Sequence, residues 1–218
     1  GNQAGYGGAC YVDGGRLELM ESVTIASNQA GYEGGGLYAL RGVVILADET
    51  LLRDNSAGTA GANYMNAAPD AVEMFYVLPA PAAHYVTQTQ ECEAADLHGA
   101  QVSCPPDAHV HAELRNRTFS RLTIRAMKAN FPFACSAGLY GRARVLADQI
   151  AIDCFARCPA GFECPKGTSA PLDCEPGTYC EEGSGVATRC PGGTYSGVWR
   201  LAARTGCLNV TAGFWSPV

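Results

Sequence analysis

The chain has no apolar run of the about 18 residues that a bilayer-spanning helix needs, its best stretch, Leu40 to Ala47, being short and interrupted by Arg41. No membrane span is therefore expected within it. Basic charge is scarce as well: 15 Lys and Arg against 21 Asp and Glu leave a net charge of −6, which argues against a surface for nucleic acid or an acidic membrane. The local exception is Arg115, Arg117, Arg121, Arg125 and Lys128, a run that reads as a solvated face rather than an anion site.

Recognisable reaction chemistry is also missing. There is no Gly-x-Ser-x-Gly nucleophile motif, and no cysteine stands where a thiol would be activated. The Cys-x5-Cys spacing is wider than the gaps of two to four that zinc modules favour. His109 and His111, near Cys104, would share one face of a strand, but the sequence offers no third ligand placed with them. Neither catalysis nor a metal or cofactor is expected.

Cysteine is nearly absent from the first 91 residues, where Cys10 stands alone, and the other ten run from Cys92 to Cys207. That segment holds the plainest repeat in the chain: Cys158, Cys174 and Cys190 recur every 16 residues, and Cys164 and Cys180 keep an offset of six. Each unit opens with a Pro/Gly turn, in Cys158-Pro-Ala-Gly-Phe162, Cys174-Glu-Pro-Gly-Thr178 and Cys190-Pro-Gly-Gly-Thr194, and Ser196 takes the place of a second cysteine in the last. Such turns supply little apolar core, so the segment is expected to depend on disulfides and to belong to an oxidising compartment. Eleven is an odd number. The isolated Cys10 is expected to be free, leaving Cys92, Cys104, Cys135, Cys154, Cys158, Cys164, Cys174, Cys180, Cys190 and Cys207 to form five bridges whose partners the spacing does not assign.

Residues 1 to 66 carry a second periodicity, Asn2-Gln-Ala-Gly-Tyr6, Asn28-Gln-Ala-Gly-Tyr32 and the degenerate Asn55-Ser-Ala-Gly-Thr59, with steps of 26 and 27. A period of that size points to a solenoid. Short β-prone runs follow each corner, as in Ala9 to Val12, Leu17 to Leu19, Val23 to Ile25, Gly36 to Leu40 and Val43 to Leu46. The expected fold is mainly β: a short right-handed parallel β-helix over 1–68, a joining region over 69–153 and a loop-dominated, disulfide-rich module over 154–218. The corner asparagines are expected to hydrogen-bond their equivalents one repeat away, and the glycines beside them to supply the turn. Tyr11, Tyr38 and Tyr64 are read as equivalent, forming either an outward aromatic ladder suited to sugar rings or a partner chain, or an internal stack.

Gly7-Gly-Ala9 and Gly34-Gly-Gly36, each preceded by Asn2 or Asn28, resemble the repeats of polymorphic outer membrane protein-like and other right-handed β-helix proteins. The third repeat departs from that pattern, Ala60-Gly-Ala62 lacking the double glycine. From residue 154 onward, the units opening at Cys158 and Cys190 resemble the ephrin type A/B receptor-like cysteine-rich module of large extracellular proteins. The sequons at Asn116 and Asn209 predict glycosylation in a secretory pathway. The chain opens at Gly1 inside a repeat, without a methionine or signal peptide, so a piece of something longer is expected. Together these features predict a secreted or cell-surface structural or adhesion protein, with an extracellular glycan, a matrix protein or a second copy of itself as partner. Two alternatives stand beside it: a polysaccharide-active β-helix enzyme, and the ectodomain fragment of a receptor.

Overall fold

The computed structural model describes residues 1–86, 89–91 and 117–211. The chain is mainly β, its sheets short and mixed in direction, and it divides into two compact units, 1–81 with 86–133 and 82–85 with 134–218. The region expected to join two modules, 69–153, contributes to both.

In the first unit, strands one repeat apart pair in parallel. β1 (Gln3–Tyr6), β4 (Gln29–Glu33) and β7 (Ser56–Ala57) form one sheet, and β3 (Thr24–Ala26) pairs with β6 (Leu51–Arg53). β2 (Cys10–Leu19) pairs with β5 (Leu37–Ala47), and β5 in turn with β8 (Tyr64–Asn66) and β9 (Val72–Val77). The run Val43 to Ala47 is apolar at every position because both its faces are covered. Val44 and Leu46 enter the main core with Leu37, Leu52, Tyr64 and Met74, while Ile45 and Ala47 enter a smaller cluster with Phe75, Val77 and Phe119.

The corner asparagines form the expected lane. Asn28 Oδ1 accepts from the Asn2 amide at 2.9 Å, and Asn55 Oδ1 accepts from both the amide and the side chain of Asn28 at 2.9 and 3.0 Å. Asn63 ends the lane: its Oδ1 accepts from Asn55 at 2.8 Å, and its Nδ2 donates to the carbonyls of Lys128 and Ala129. The double glycine beside the lane meets two separate demands. Gly34 holds φ +67°, which a Cβ disfavours, and a Cβ on Gly35 would lie 2.1 Å from the carbonyl oxygen of Ser56 in the next repeat.

Past the third repeat the pairing turns antiparallel. β11 (Thr89–Glu91) pairs with β12 (Thr118–Arg121), β12 with β9, β13 (Ala126–Met127) with β8, and Phe131 bridges to Leu52. These segments close one end of the repeats.

The second unit contains β10 (His84–Tyr85) and, after β14 (Phe133–Ala134), a row of two-residue antiparallel pairs: β15 (Leu139–Tyr140) with β16 (Ala156–Arg157), β17 (Phe162–Glu163) with β18 (Leu172–Asp173), β19 (Thr178–Tyr179) with β20 (Thr188–Arg189), and β21 (Thr194–Tyr195) with β22 (Leu208–Asn209). Each of the last three pairs starts from a hydrogen-bonded turn in which the amide of Phe162, Thr178 or Thr194 donates to the carbonyl three residues back. The third residue of each turn is Gly161, Gly177 or Gly193, at φ +86°, +86° and +78°. One short helix, α1 (Leu146–Gln149), precedes Cys154. From Ala134 to Thr211 every buried hydrophobic residue is a cysteine. Sulfur takes the place of a core.

Candidate functional site

The first repeats end each Asn-x-Ala-Gly corner with a tyrosine and begin the next strand with another. β1 carries Tyr6, β4 Tyr32, β2 Tyr11 and β5 Tyr38. Register places Tyr11 on Tyr38, with ring centroids 5.3 Å apart and planes at 11°, and Tyr6 stacks on Tyr32 at 5.2 Å and 25° although the β1–β4 pairing slips to set Tyr6 opposite Glu33. Tyr6 and Tyr38 join the two stacks at 5.0 Å. The four rings therefore form one cluster, each contact worth about 0.5–1.5 kcal/mol beyond burial. Tyr38 is its buried floor, while Tyr6, Tyr11 and Tyr32 stand 43, 51 and 57% exposed. Burial, with the negative charge of Glu33 added, raises the Tyr38 phenol above its ordinary value, and Arg125 opposes the rise. A rigid apolar strip edged with hydroxyls results.

Tyr64 does not belong to this ladder, contrary to its expected equivalence with Tyr11 and Tyr38. Its register partner is Leu37, and Met65 is the residue opposite Tyr38. Cys10 pairs with Leu37 and Leu37 with Tyr64, steps of 27 residues, whereas Tyr38 and Tyr64 are 26 apart, and a slip of one residue turns a side chain to the other face of a strand. Tyr64 accordingly lies fully buried in the core with its phenol pushed far up by burial. Tyr6 and Tyr32 were absent from the sequence-based ligand face. The signal for them was the recurrence of tyrosine in the Asn-Gln-Ala-Gly-Tyr motif itself.

Four acids of the first unit are held by cations. Asp13 accepts from Arg41 at 2.7 Å, Asp48 from Arg117 at 2.5 Å, and Glu18 from Arg16. Asp54 accepts from Asn130 and Arg53, and hydrogen bonds from those two hold its carboxyl below the usual range, as the bond from Arg41 holds that of Asp13. Among the described residues no group of three or more His, Cys, Asp or Glu gathers as metal ligands do. No described helix is long and apolar enough to cross a membrane.

Among the described residues four disulfides are present: Cys135–Cys154, Cys158–Cys164, Cys174–Cys180 and Cys190–Cys207. Backbone bonds mark out the units in which the cysteines sit. The amides of Gly138, Gly161 and Gly177 donate in turn to the carbonyls of Cys164, Cys180 and Ser196, and those of Gly141, Cys164 and Cys180 donate to Thr168, Ser184 and Leu201. Four equivalent units follow one another, and Gly141 and Ser196 fill the second cysteine's place in the first and last. Intact units close across six residues, whereas the first cysteine of an incomplete unit bonds downstream, across 19 or 17. Cys10 is free and half-buried, and burial pushes its thiol up. Asn209 is exposed in β22, as a glycosylation site requires. Cys92, Cys104, His109, His111 and Asn116 lie outside the described residues.

Two ion pairs brace the second unit. The Arg142 guanidinium lies 3.6 Å over the Phe155 ring while donating to the buried Asp148 at 2.9 and 3.2 Å. Arg200 likewise covers Phe162 at 4.9 Å and grips Asp173 at 2.8 and 3.1 Å.

A scan against protein-family models finds no match, and searches of curated proteins and of solved structures find none either.

Proposed function

We propose that this chain is a secreted or cell-surface structural and adhesion protein that holds an extended glycan or matrix chain on its tyrosine cluster without turning it over. In this reading residues 1–68 are coils of a short right-handed parallel β-helix, and residues 154–218 are an ephrin-receptor-like cysteine-rich module. The observation that carries it is the exposed cluster of Tyr6, Tyr11 and Tyr32 over Tyr38, fixed to strands that hydrogen-bond from one repeat to the next. Tyrosine offers a large, rigid contact with one apolar body and one polar tip, so it binds sugar rings or a partner at little entropic cost. The sulfur-filled interior of the second unit supports the extracellular assignment, because such bridges persist in oxidising compartments. The engagement of Asp13, Glu18, Asp48 and Asp54 by cations weighs against the polysaccharide-active enzyme, which needs carboxylates free to act as acid and base.

The test is a glycan array, followed by titration of the best binder, with protein secreted from a eukaryotic host. Tyr32→Ala should weaken binding by about fivefold or more, equivalent to ~1 kcal/mol, while stability falls only by the Tyr6–Tyr32 contact, about 0.5–1.5 kcal/mol. Absence of any glycan or matrix binder, or equal affinity in the variant, contradicts the proposal.

A further inference from the structure

Among the described residues every bridge lies from Cys135 onward, and Cys10, the one described cysteine of the first unit, is free. Two of that unit's repeats nevertheless hold phenols in ring contact. Tyr6 and Tyr32 close successive Asn-Gln-Ala-Gly-Tyr corners, and their rings stack with centroids 5.2 Å apart. The contact lies between two repeats that are both present. Tyr32 stays 57% exposed although β4 has a strand on either side, β1 and β7.

Glycine shapes the meeting. A Cβ at Gly5 would lie 3.8 and 3.9 Å from Cδ2 and Cε2 of Tyr32, so that edge of the ring rests over a backbone without a side chain, next to Tyr6. Cε2 is one of the two carbons ortho to the hydroxyl, where a phenoxyl radical carries much of its unpaired spin. Thr59 stands where a third tyrosine would continue the row. Tyr38 lies 5.0 Å from Tyr6 and 5.3 Å from Tyr11, so an electron lost from any of the four rings can be drawn from its neighbours. Tyr38 itself is buried and cannot turn an ortho carbon outward to meet a partner.

We propose that Tyr6 and Tyr32 form an oxidative cross-linking site, joined as dityrosine by hydrogen peroxide and a haem peroxidase. Each phenol gives up one electron and its O–H proton. The two phenoxyl radicals bond Cε to Cε, and each ring regains aromaticity as the hydrogen on that carbon leaves as a proton and the phenolic oxygen takes one up. The two electrons and two protons released reduce one peroxide to two waters. The bond ties the first repeat to the second and closes a loop of the unfolded chain, as a disulfide does. This chemistry needs no bound glycan and stands apart from that reading.

The test treats the whole chain, at low concentration, with a haem peroxidase and equimolar hydrogen peroxide. The monomer should gain the blue fluorescence of dityrosine and lose two hydrogens. Trypsin, cutting after Arg16 and Arg41, should then leave peptides 1–16 and 17–41 joined, with fragmentation placing the bond at Tyr6 and Tyr32. Tyr6→Phe and Tyr32→Phe keep the ring stack but cannot form the radical, so each should abolish the monomer's fluorescence, whereas Tyr11→Phe and Tyr140→Phe should keep it. The cross-linked chain should unfold at a higher urea concentration than the untreated one. Absence of the fluorescence, its confinement to covalent oligomers, a bond mapped to another pair such as Tyr11 and Tyr38, full monomer fluorescence in Tyr32→Phe, or an unchanged urea midpoint would each overturn the proposal.

Discussion

At the residue scale, the two asparagines within the lane and the single buried carboxylate of the second unit carry the most testable energy. Asn55→Ala removes the acceptor of the Asn28 amide and side chain together with the donors to Ile25 and Asn63. Leaving a buried amide without a partner costs about 1–3 kcal/mol, so the variant should lose about 2–4 kcal/mol in urea unfolding followed by near-ultraviolet circular dichroism. Asn2→Ala, at the exposed start of the lane, should lose far less. Asp148 gives a pH signature. Hydrogen bonds from Arg142 hold its carboxyl below the ordinary value of 3.8, so the folded state binds its proton less readily than the unfolded chain does. Its contribution is complete above the unfolded value and is lost as pH falls through the lower, folded one. Thermal melts at acid pH should therefore decline more steeply in the natural chain than in Asp148→Asn, and parallel declines would contradict the pairing. The lane was legible in the sequence because asparagine recurs in an unchanged setting. The fate of Tyr64 was not, because tyrosine also recurs at nearly the right spacing and only strand register separates 26 residues from 27.

At the scale of elements, the rule that joins cysteines is one of position within a unit. Cys190 bonds Cys207 because Ser196, buried, occupies the place that Cys164 and Cys180 take in their own units. Ser196→Cys should restore the six-residue bridge to Cys190 and release Cys207. Non-reducing peptide mapping after alkylation reads this directly, and an intact Cys190–Cys207 bridge with a labelled thiol at position 196 would contradict the rule. Chain-entropy arithmetic does not prevent the exchange: a bridge across six residues is worth about 2.2 kcal/mol and one across 17 about 3.1 kcal/mol. Local backbone bonds can outweigh that gap. The unit pattern was visible from Cys158 onward. The partners of Cys135 and Cys190 were not visible, because their own units lack a second cysteine and each bridge reaches a cysteine outside the repeated spacing. The closing strands β12 and β13 were hidden for a related reason: their pairing with β8 and β9 spans tens of residues, and the Arg-rich sequence around them reads as surface. Arg117, the first described member of that run, instead binds Asp48 and the Leu78 carbonyl.

At the scale of the whole molecule, one chain contains two solutions to the problem of a small core. Residues 1–81 and 86–133 bury apolar side chains between strands of successive repeats and satisfy their corners through asparagine, a frame that owes nothing to the four bridges described. Residues 134–211 bury almost nothing apolar except cysteine. Tyrosines are thus offered by the frame that burial holds, while Asn209 lies in the part that sulfur holds, where mass loss on amidase treatment of secreted protein would register its glycan. Hydrogen exchange across the intact chain, with and without a reducing agent, tests this division most directly. Protection in the turn units from Cys135 to Cys207 should collapse on reduction, while amides in β4, β5 and β9 keep theirs. Equal loss in both units, or survival of the turn units without their bridges, would contradict it.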